Sequence, residues 1–547
     1  DAGGPEDHLR SQPQQAPEPR TVKRLAIAMA FVAWPALAGS VVVARHAALA
    51  TASPYATQIG LDVMKSGGNA IDAAVAVAFA LAVAQPQSGN IGGGGFLTYY
   101  EASTRAVWTL DFREVAPAAA TRDMFAGGRS SRDGALAVGV PGTVAGLAEM
   151  HERFGRLKWK ELVAPAIRLA ENGVSVSEDL KMDAARATAE RKIEFLKSPL
   201  VQKELAATLT RVAEKGRTDF YDGETAARIV EGLRASGGIV SLRDLREYKP
   251  VWRAPIRIKF RDFDVYSIPP PSAAGMMLTE ELNILAGFDL KATGYQTAST
   301  VHLIAEASRR AAIDRDRYLG DPTTSRTPYR ELFSPARAAQ WRSSINPTRV
   351  TPTVTLAEPA ATIAQSLHTT HFTVADTDGN IVAITTTLGD TFGSGFVVPR
   401  CGFLLNNAMH DFAAGDRSPN AIASGRRMAS SLAPTIVLRH DQPYLALGSS
   451  GGAAIPNIVL QTFLDVALFG KTLGEAVAAP RYDQQSLPDD ITYEFLKTPV
   501  AVVNQLRAMG HGLRQHEPIG DVHALMFESG RITAVSDPRH GGAGGGY

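Results

Sequence analysis

The chain has 547 residues, of which 45% are hydrophobic and 20% are charged, and its formal net charge is +1 at pH 7. This composition is typical of a globular protein, and the length allows a large core and two or more domains. A charge so close to zero gives no reason to expect nucleic acid or a membrane surface as a partner. Because Cys401 is the only cysteine, a disulfide framework within the chain is excluded.

The first part of the chain has the layout of a leader. Residues 1–24 are polar, rich in Pro and Gln, and are predicted to be disordered. Residues 25–38 are apolar, follow two basic residues and end in small residues, which is typical of a cleaved signal peptide. The alternative is an uncleaved membrane anchor, since the apolar run continues to Ala44. Both interpretations predict a periplasmic or secreted working domain.

Hydrophobic periodicity predicts helices mainly in the first two thirds of the chain and strands mainly in the last third. The predicted helices span residues 56–66, 70–84 (capped by Asn69), 143–154, 159–171, 178–197, 224–235, 241–248, 276–286, 300–316, 454–469 and 498–509. The predicted strands span residues 96–101, 106–112, 256–259, 264–268, 371–375, 381–387, 402–405, 435–439, 443–448, 492–495, 521–527 and 531–536. The glycine run at 92–95 is predicted to allow close backbone packing, and the proline-containing residues 335–362 are predicted to form a loose linker.

The strand pair 371–375 and 381–387 carries the most distinctive sequence. Asp378-Gly379-Asn380 supplies a tight turn between the strands, so the segment is locally a threonine-rich hairpin. Several short motifs surround it in one order. They are Asp111-Phe112-Arg113-Glu114, His368-Thr369-Thr370-His371-Phe372, Thr387-Leu388, Phe392-Gly393-Ser394-Gly395, Leu404-Leu405-Asn406-Asn407, Asp411-Phe412, Ser430-Ser431 and Gly451-Gly452.

The order and spacing of these motifs resemble the γ-glutamyltranspeptidase (glutathione hydrolase) family of N-terminal-nucleophile hydrolases, from about Ala47 to Tyr547. The resemblance implies an α+β fold, a four-layer αββα sandwich in which two stacked, mostly antiparallel sheets are flanked by helices. It also implies a precursor that cuts itself between His368 and Thr369. The products would be a large subunit, residues 39–368, and a small subunit, residues 369–547, which form a heterodimer.

Cleavage would make Thr369 a competent nucleophile. A threonine hydroxyl is weak without a nearby base, and the α-amine freed by cleavage has a reference pKa of about 8, so its neutral form can act as that base. Inside an intact chain the same nitrogen is an amide and cannot accept the proton. Thr369 Oγ is therefore expected to attack first the carbonyl of His368 and then the γ-amide of a substrate.

The resemblance assigns roles to the other motif residues. The hydroxyl of Thr387 is expected to orient Thr369, and the N–H groups of Gly451 and Gly452 are expected to stabilise the oxyanion. Arg113, Ser430 and Ser431 would bind the carboxylate of a γ-glutamyl donor, and Asp411 its ammonium group. The implied partners are this small donor and either water or an amino-acid or peptide acceptor, without nucleic acid.

Two positions depart from the family pattern. Members usually carry Asn two residues after the position of Thr387, where this chain has Gly389. They usually carry Gln or Glu three residues before the position of Asp411, where this chain has Ala408. Asp390 is expected to replace one missing side chain. The segment after Asp411 is also shorter than in members with a lid over the cleft, so hydrolysis of glutathione and related γ-glutamyl compounds is predicted to exceed transfer.

Three alternatives remain open at the level of sequence. In the same fold, an acylase acting on glutaryl or cephalosporin-type amides would tolerate the two departures. Residues 448–452 contain a G-x-S-x-G pattern, which in an α/β-hydrolase would make Ser450 the nucleophile, with His511, His516 or His523 as base. A catalytically weak protein that binds an acidic ligand is the third. The 12 histidines show no metal-binding spacing, so neither a metal nor another cofactor is predicted.

Overall fold

The computed structural model describes residues 40–191, 198–358, 368–413 and 418–547. The predicted disordered segment and signal peptide, residues 1–24 and 25–38, lie outside the described residues, as does the end of the predicted linker. Within the described ranges, no helix combines the length and the apolar character needed to span a bilayer.

The strands lie on both sides of the predicted cut, with most of them after it. In chain order they are β1 (Val41–Ala44), β2 (Ala48–Thr51), β3 (Gly94–Glu101), β4 (Ala106–Asp111), β5 (Val251–Arg253), β6 (Ile256–Phe260), β7 (Phe263–Ser267), β8 (His368–Ala375), β9 (Ile381–Gly389), β10 (Thr435–Arg439), β11 (Gln442–Leu447), β12 (Ser449–Ser450), β13 (Tyr482–Gln484), β14 (Asp490–Glu494), β15 (Gly512–His516), β16 (Asp521–Glu528), β17 (Arg531–Ser536) and β18 (Ala543–Gly546).

The helices lie mostly before the predicted cut. In chain order they are α1 (Pro54–Lys65), α2 (Ala70–Ala84), α3 (Thr143–Phe154), α4 (Trp159–Asn172), α5 (Glu178–Arg191), α6 (Lys203–Lys215), α7 (Arg217–Asp222), α8 (Glu224–Ala235), α9 (Leu242–Glu247), α10 (Ala274–Leu285), α11 (Leu290–Thr293), α12 (Ala298–Tyr318), α13 (Tyr329–Leu332), α14 (Pro335–Ser343), α15 (Thr353–Leu356), α16 (Ile455–Ala467), α17 (Leu473–Ala478) and α18 (Val500–Ala508). Short 3-10 turns include Ala408–Asp411 and Gly452–Ala454.

Two large antiparallel sheets form the centre of the molecule. One has seven strands in the order β18-β2-β8-β9-β3-β4-β5. The other has eight, in the order β1-β17-β16-β11-β10-β7-β6, with β12 paired to β16 beside this path. Their facing surfaces pack through one apolar cluster that includes Tyr100 and Ala383 from the first sheet and Leu438 and Leu525 from the second. A third, small sheet has the order β13-β14-β15.

Helices cover the outer face of each large sheet. Helix α2 is buried along nearly its whole length and packs in one cluster with Phe372 and Val382 of the seven-stranded sheet. Helices α10 and α16 pack on the eight-stranded sheet, for example around Val437 and Leu445. The resulting order of layers, helix, sheet, sheet, helix, confirms the predicted sandwich.

Local sequence signals located many of these elements correctly. The predicted bounds of α3, α8, β10 and β17 match the structure, and Asn69 caps α2 as predicted. Its side chain accepts from Asp72 N at 3.0 Å, and the Asp72 carboxylate accepts from Asn69 N at 3.0 Å. This reciprocal pair is a capping box. Helix α6 was not predicted, although Leu205, Leu209 and Val212 give it a buried face.

Two predicted segments are wrong. The start of the predicted linker is helix α14, because Ser334 caps it and Pro335 occupies its first turn, where a missing N–H does no harm. Residues 402–405 are not a strand. Gly402 has φ 71°, which interrupts an extended backbone, and Leu404 makes only an isolated bridge with Val397.

Candidate active site

Thr369 lies at the beginning of β8, a central strand of the seven-stranded sheet. Strands β8 and β9 pair antiparallel, and their register places Thr369 opposite Thr387. Thr373, on the same face as Thr369, donates to a backbone carbonyl of β16 at 3.5 Å, so this face is turned toward the eight-stranded sheet. Thr370 is on the opposite face, where its Oγ1 donates to Gln85 Oε1 at 3.0 Å. The two adjacent threonines therefore have different surroundings.

The hydroxyl of Thr387 contacts the peptide bond that was predicted to be cut. It donates to the carbonyl oxygen of His368 at 2.6 Å and accepts from the N–H of Gly389 at 2.8 Å. The sequence predicted a bond to Thr369 instead. In the continuous chain the Thr387 hydroxyl donates its hydrogen bond to the His368 carbonyl. A donor at this oxygen makes the carbonyl carbon more electrophilic.

Glycines allow close backbone packing around this strand pair. A Cβ on Gly93 would lie 2.0 Å from the carbonyl oxygen of Thr387, and one on Gly95 would lie 2.4 Å from that of Thr385. The glycine run at 92–95 thus allows the close packing predicted for it. Gly389 has φ 100°, in the region that favours glycine, so an Asn at this position would be strained in this backbone.

Six of the predicted site residues line one pocket. It contains about 230 Å³ of empty space. Its walls are formed by Arg113, Thr369, Thr387, Asp411, Ala429, Ser430, Ser431 and Leu432. Ala429 and Leu432 were not predicted. They have no reactive group, and they flank the serine pair that the motif had already identified.

Arg113 is buried between two carboxylates. Its Nη1 donates to Glu114 Oε2 at 2.8 Å, and its Nη2 forms an ion pair with Asp411 Oδ2. Burial raises the pKa of Glu114 to about 7, although the neighbouring Arg113 charge opposes that shift. Burial lowers the pKa of Arg113, but Glu114 and Asp411 outweigh it and the net shift is upward. This wall of the pocket therefore carries the positive charge of Arg113 paired with Asp411, and the charge of the neighbouring Glu114 depends on pH near neutrality.

The serine pair is held by a backbone segment from the first part of the chain. Ser430 N donates to the carbonyl of Pro271 at 2.9 Å, and Ser430 O accepts from Ala273 N at 2.7 Å. Ser431 Oγ donates to the carbonyl of Gly452 at 2.6 Å. Ser431 therefore connects the pocket wall with the glycine turn that follows β12.

Asn420 connects the two ends of the segment between Asp411 and Ser430. Its Nδ2 donates to the carbonyl of Asp411 at 2.8 Å, and its Oδ1 accepts from Ala429 N at 2.8 Å. Sequence reasoning missed this residue. Its only signal is an asparagine after a proline in a turn-rich segment, which is too common to single out.

Gly451 and Gly452 lie between β12 and the 3-10 turn that leads into α16. Their φ angles are 123° and 58°, and the value at Gly451 is one that side chains rarely tolerate. Among the residues that the structure describes, the N–H groups of both glycines have no hydrogen-bond acceptor. Unpaired N–H groups just before a helix suit a developing negative charge. Ser431, which lines the pocket, connects them to it through its hydrogen bond to the Gly452 carbonyl.

Asp390 and Ala408 are not among the described residues that line the pocket. Asp390 N donates to Asn407 Oδ1 at 2.9 Å, and Asn407 Nδ2 donates to Asp390 Oδ2 at 3.0 Å. Ala408 is fully buried in an apolar cluster with Met409 and Met428. The structure therefore shows no polar group from Ala408 at the pocket, and the replacement role expected for Asp390 stays a prediction.

The α/β-hydrolase alternative is wrong. Ser450 belongs to the two-residue strand β12, which pairs antiparallel with β16, and both large sheets are antiparallel. In an α/β-hydrolase, by contrast, the nucleophile lies on a sharp turn between a strand of the α/β sheet and the following helix. The proposed bases have other partners: His511 bonds His302 at 2.7 Å, His516 bonds the carbonyl of Pro518 at 3.0 Å, and His523 bonds Asp521 and Ser536, each at 3.0 Å.

One group of potential metal ligands occurs in the described ranges. Atoms of His302, Glu306 and His511 lie within 4.8 Å of one another. His302 Nε2 donates to a backbone carbonyl at 2.7 Å, which leaves its Nδ1 to accept from His511. Glu306 is paired with both Arg309 and Arg310. Two guanidinium groups neutralise this carboxylate and repel a cation, so the cluster fits a metal poorly.

A sandwich of two antiparallel sheets between helix layers, with a threonine at the start of a central strand, defines an N-terminal-nucleophile hydrolase fold. The solved structure of cephalosporin acylase from Bacillus halodurans superposes on the chain with a TM-score of 0.84 at 28% identity, covering 98% of this chain and 99% of that one. A family model for gamma-glutamyltranspeptidase matches residues 56–547.

Curated relatives agree with that match. The chain is 39% identical to the glutathione hydrolase proenzyme of Pseudomonas aeruginosa over 529 residues, covering 91% of this chain and 94% of the relative. It is 37% identical to the glutathione hydrolase proenzyme of Escherichia coli (strain K12) over 528 residues, covering 91% of both. The chain belongs to the gamma-glutamyltranspeptidase family. It is therefore an enzyme, and the alternative of a binding protein without activity is set aside.

Proposed function

We propose that this protein is a self-processing glutathione hydrolase that cleaves γ-glutamyl amides through an ester on Thr369. The observation that carries the proposal is the single pocket lined by Thr369, Arg113, Asp411 and the serine pair. A γ-glutamyl donor has an α-carboxylate and an α-ammonium group on one carbon. Arg113 and Asp411 form an ion pair and so present the opposite charges side by side. The donor carboxylate can therefore pair with Arg113 and the donor ammonium group with Asp411, in place of their contact with each other.

Maturation would begin at the peptide bond between His368 and Thr369. Thr387 polarises the His368 carbonyl, and Thr369 Oγ attacks its carbon. The C–N bond then breaks as the hydroxyl proton passes to the nitrogen, which leaves an ester on Thr369 and a free α-amine. Water cleaves the ester and leaves a carboxylate on His368. The fragments 39–368 and 369–547 would stay together as a heterodimer, because both contribute strands to each large sheet.

The mature site would then act on the donor. The neutral α-amine of Thr369 takes the hydroxyl proton while the oxygen attacks the γ-carbonyl carbon. The N–H groups of Gly451 and Gly452 are the donors proposed for the resulting oxyanion. The amine returns the proton to the leaving nitrogen as the C–N bond breaks. Water, activated by the same amine, releases glutamate from the ester, and Thr387 is then available to orient Thr369.

An acylase that acts on glutaryl amides is the second candidate. Its support is the likeness to the cephalosporin acylase structure and the apolar surroundings of Ala408, which provide no side-chain partner for an ammonium group. A glutaryl group has a carboxylate for Arg113 but no cation for Asp411. The presence of Asp411 in the pocket therefore favours the γ-glutamyl donor.

Export from the cytoplasm is part of the proposal. Its support is the arrangement of residues 25–38, which resembles a signal peptide. The mature protein would then act in the periplasm or outside the cell. The mass of the N-terminal fragment from exported protein tests this, and a fragment that still begins before residue 25 would favour the anchor.

The central experiment compares γ-glutamyl and glutaryl p-nitroanilides on purified protein and on Asp411→Asn. We expect two fragments on a denaturing gel, with Thr369 at the start of the smaller one, and faster release from the γ-glutamyl substrate. Asp411→Asn should lower kcat/KM for that substrate at least about 10-fold, because a charged partner is lost, and leave the glutaryl rate unchanged. Turnover by a chain that remains uncut would refute the proposal.

The acceptor is tested with glycylglycine. We expect free glutamate to exceed the transfer product, because the short segment after Asp411 leaves the ester open to water. Predominance of γ-glutamyl-glycylglycine would contradict the preference for hydrolysis without affecting the role of Thr369.

A further inference from the structure

A second cavity lies between α12, α16 and the small sheet. It contains about 440 Å³ of empty space, part of it open to solvent, and shares no lining residue with the catalytic pocket. Helix α12 contributes one face, from Thr300 to Ser308, and α16 contributes Asn457, Gln461 and Asp465. Strands β13 and β14 complete the wall. No role in the proposed reaction involves this cavity, so what it binds is an independent question.

Three side-chain amides on this wall have unused oxygen atoms. Asn457 Nδ2 donates to the Asp483 carboxylate at 2.6 Å. The Nε2 atoms of Gln484 and Gln296 donate to backbone carbonyls at 2.7 Å and 3.3 Å. Because each NH₂ group has an acceptor, the orientation of each amide is determined, and its oxygen is left as an acceptor. In the part of the chain described, all three oxygens are buried without a hydrogen-bond partner.

Gln296 is also held in an unusual backbone conformation. Its φ is 54°, in the left-handed region that residues other than glycine rarely adopt. The residue comes just before α12, and its side chain lines the cavity. Such a conformation needs support from its surroundings, and it is common where a side chain is positioned for binding.

Two carboxyl groups, which are negative in their charged form, lie in the same wall. Asp465 is 5% exposed and accepts from the Tyr295 hydroxyl at 3.3 Å. Burial raises its pKa to about 7, and Lys471 and Arg481 oppose the shift only partly. Burial also raises the pKa of Asp483. Both shifts reflect the burial of these carboxyl groups, and a cation bound in the cavity would oppose them by favouring the charged form.

The rest of the lining combines apolar residues with four more polar ones, Thr300, Ser308, Gln461 and Tyr482. Val301, Ile304, Ala305, Phe469 and Ile491 face the cavity together with the acceptors. A divalent metal ion needs about six oxygen ligands, whereas this lining also contains five aliphatic or aromatic side chains. The mixture suits a ligand with a cationic, hydrogen-donating head and a short hydrocarbon body. The ring of Phe469 can also contact such a cation.

We propose that this cavity binds a small primary ammonium ion with a short alkyl chain. Its three N–H groups would donate to acceptors drawn from the three amide oxygens and the carboxylate of Asp465. Its alkyl chain would pack against the apolar face of α12. The assignment depends on a wall that offers acceptors, negative charge and hydrocarbon, and it is independent of the function proposed for Thr369.

Calorimetric titration with n-propylammonium chloride tests the proposal, with 1-propanol and potassium chloride as controls. We expect saturable binding of one propylammonium ion per chain, with no saturable binding of the alcohol and weaker binding of potassium. Asp465→Asn should weaken binding at least about 10-fold, because it removes the charge without changing the shape. Asp411→Asn, the same substitution in the catalytic pocket, should leave it unchanged.

Two further measurements keep the test decisive. Ala305→Leu narrows the cavity without touching a polar group and should weaken binding as well, so a folding defect of one variant cannot imitate the result. In crystals soaked with 3-bromopropylammonium, we expect the anomalous bromine signal between α12 and α16. Absence of saturable binding, a loss confined to Asp411→Asn, or a bromine signal only in the catalytic pocket would overturn the proposal.

Discussion

The chain before His368 and the chain after it contribute very differently to the catalytic pocket. Among the residues that the structure describes, eight line this pocket, of which seven follow His368 and one, Arg113, precedes it. The proposed nucleophile, the hydroxyl of Thr387 and the serine pair all come from the later segment. The earlier segment supplies the charged guanidinium group and most of the covering helices. In the proposed reaction, bond breaking would thus belong to the later segment, and both segments would contribute to binding the donor carboxylate.

The two segments are nevertheless interleaved in both large sheets. The earlier one provides β2 to β5 of the seven-stranded sheet, and the later one provides β8, β9 and β18. The eight-stranded sheet likewise combines β1, β6 and β7 with later strands. A cut between the segments would separate His368, the first residue of β8, from the rest of that strand, but both fragments would remain joined through each large sheet. We therefore expect the pocket to keep its shape when a new chain end forms at Thr369.

Removing the nucleophile from the later segment should have the largest effect. For Thr369→Ala we expect a single uncut chain and a fall in kcat of about 10⁴-fold or more, since no other group replaces the attacking oxygen. Thr370→Ala is the matched control. Its hydroxyl contacts Gln85 on the other face of β8, so this variant should be cut and active. An uncut Thr370→Ala with a cut Thr369→Ala would reverse the assignment.

Removing the hydroxyl opposite the nucleophile should have the next largest effect. Thr387→Val keeps the shape but cannot donate to the His368 carbonyl, so we expect self-cleavage to slow by about 10²-fold to 10³-fold. A time course on denaturing gels of freshly folded protein measures this. Thr387→Ser, which keeps the donor, should process at a nearly normal rate, and equal slowing in both variants would indicate a packing defect instead.

Changing the one pocket residue from the earlier segment should affect binding more than chemistry. A lysine cannot reproduce the two-sided contacts of Arg113 with Glu114 and Asp411, so for Arg113→Lys we expect KM for the donor to rise roughly 10-fold to 100-fold. Steady-state kinetics should show a smaller change in kcat. Arg253→Lys, at a neighbouring ion pair with Asp111 outside the pocket, is the control and should leave KM unchanged.

The smallest expected effect concerns the pH dependence of donor binding. The pKa of Glu114 is raised to about 7, so the group is mainly neutral below that pH and charged above it. The charged form competes with the donor carboxylate for Arg113. KM should therefore rise severalfold between about pH 6 and about pH 8, and it should vary less in Glu114→Gln. An unchanged slope in this variant would show that another group controls KM.

The sequence by itself determined the local elements and the identity of most pocket residues. Residues close together in the sequence, or short motifs, determine the cap at Asn69, the bounds of α3 and the position of Thr369. Such signals can be identified from the sequence alone. The prediction is poorer for segments whose residues are typical of two different structures. Pro335 was interpreted as part of a linker, although the same residue type is favoured in the first turn of a helix.

Only the tertiary structure decided which of these groups meet. The ion pair between Arg113 and Asp411 joins residues 298 positions apart, and Asn420 acts through backbone groups that have no sequence signature. Packing of distant segments also determines the hydrogen bond from Thr387 to the His368 carbonyl and the φ angle of Gly389. It likewise forms the second cavity and its lining of hydrogen-bond acceptors. Local propensities act over a few residues, whereas these contacts depend on how sheets and helices stack, and that is why the sequence alone does not reveal them.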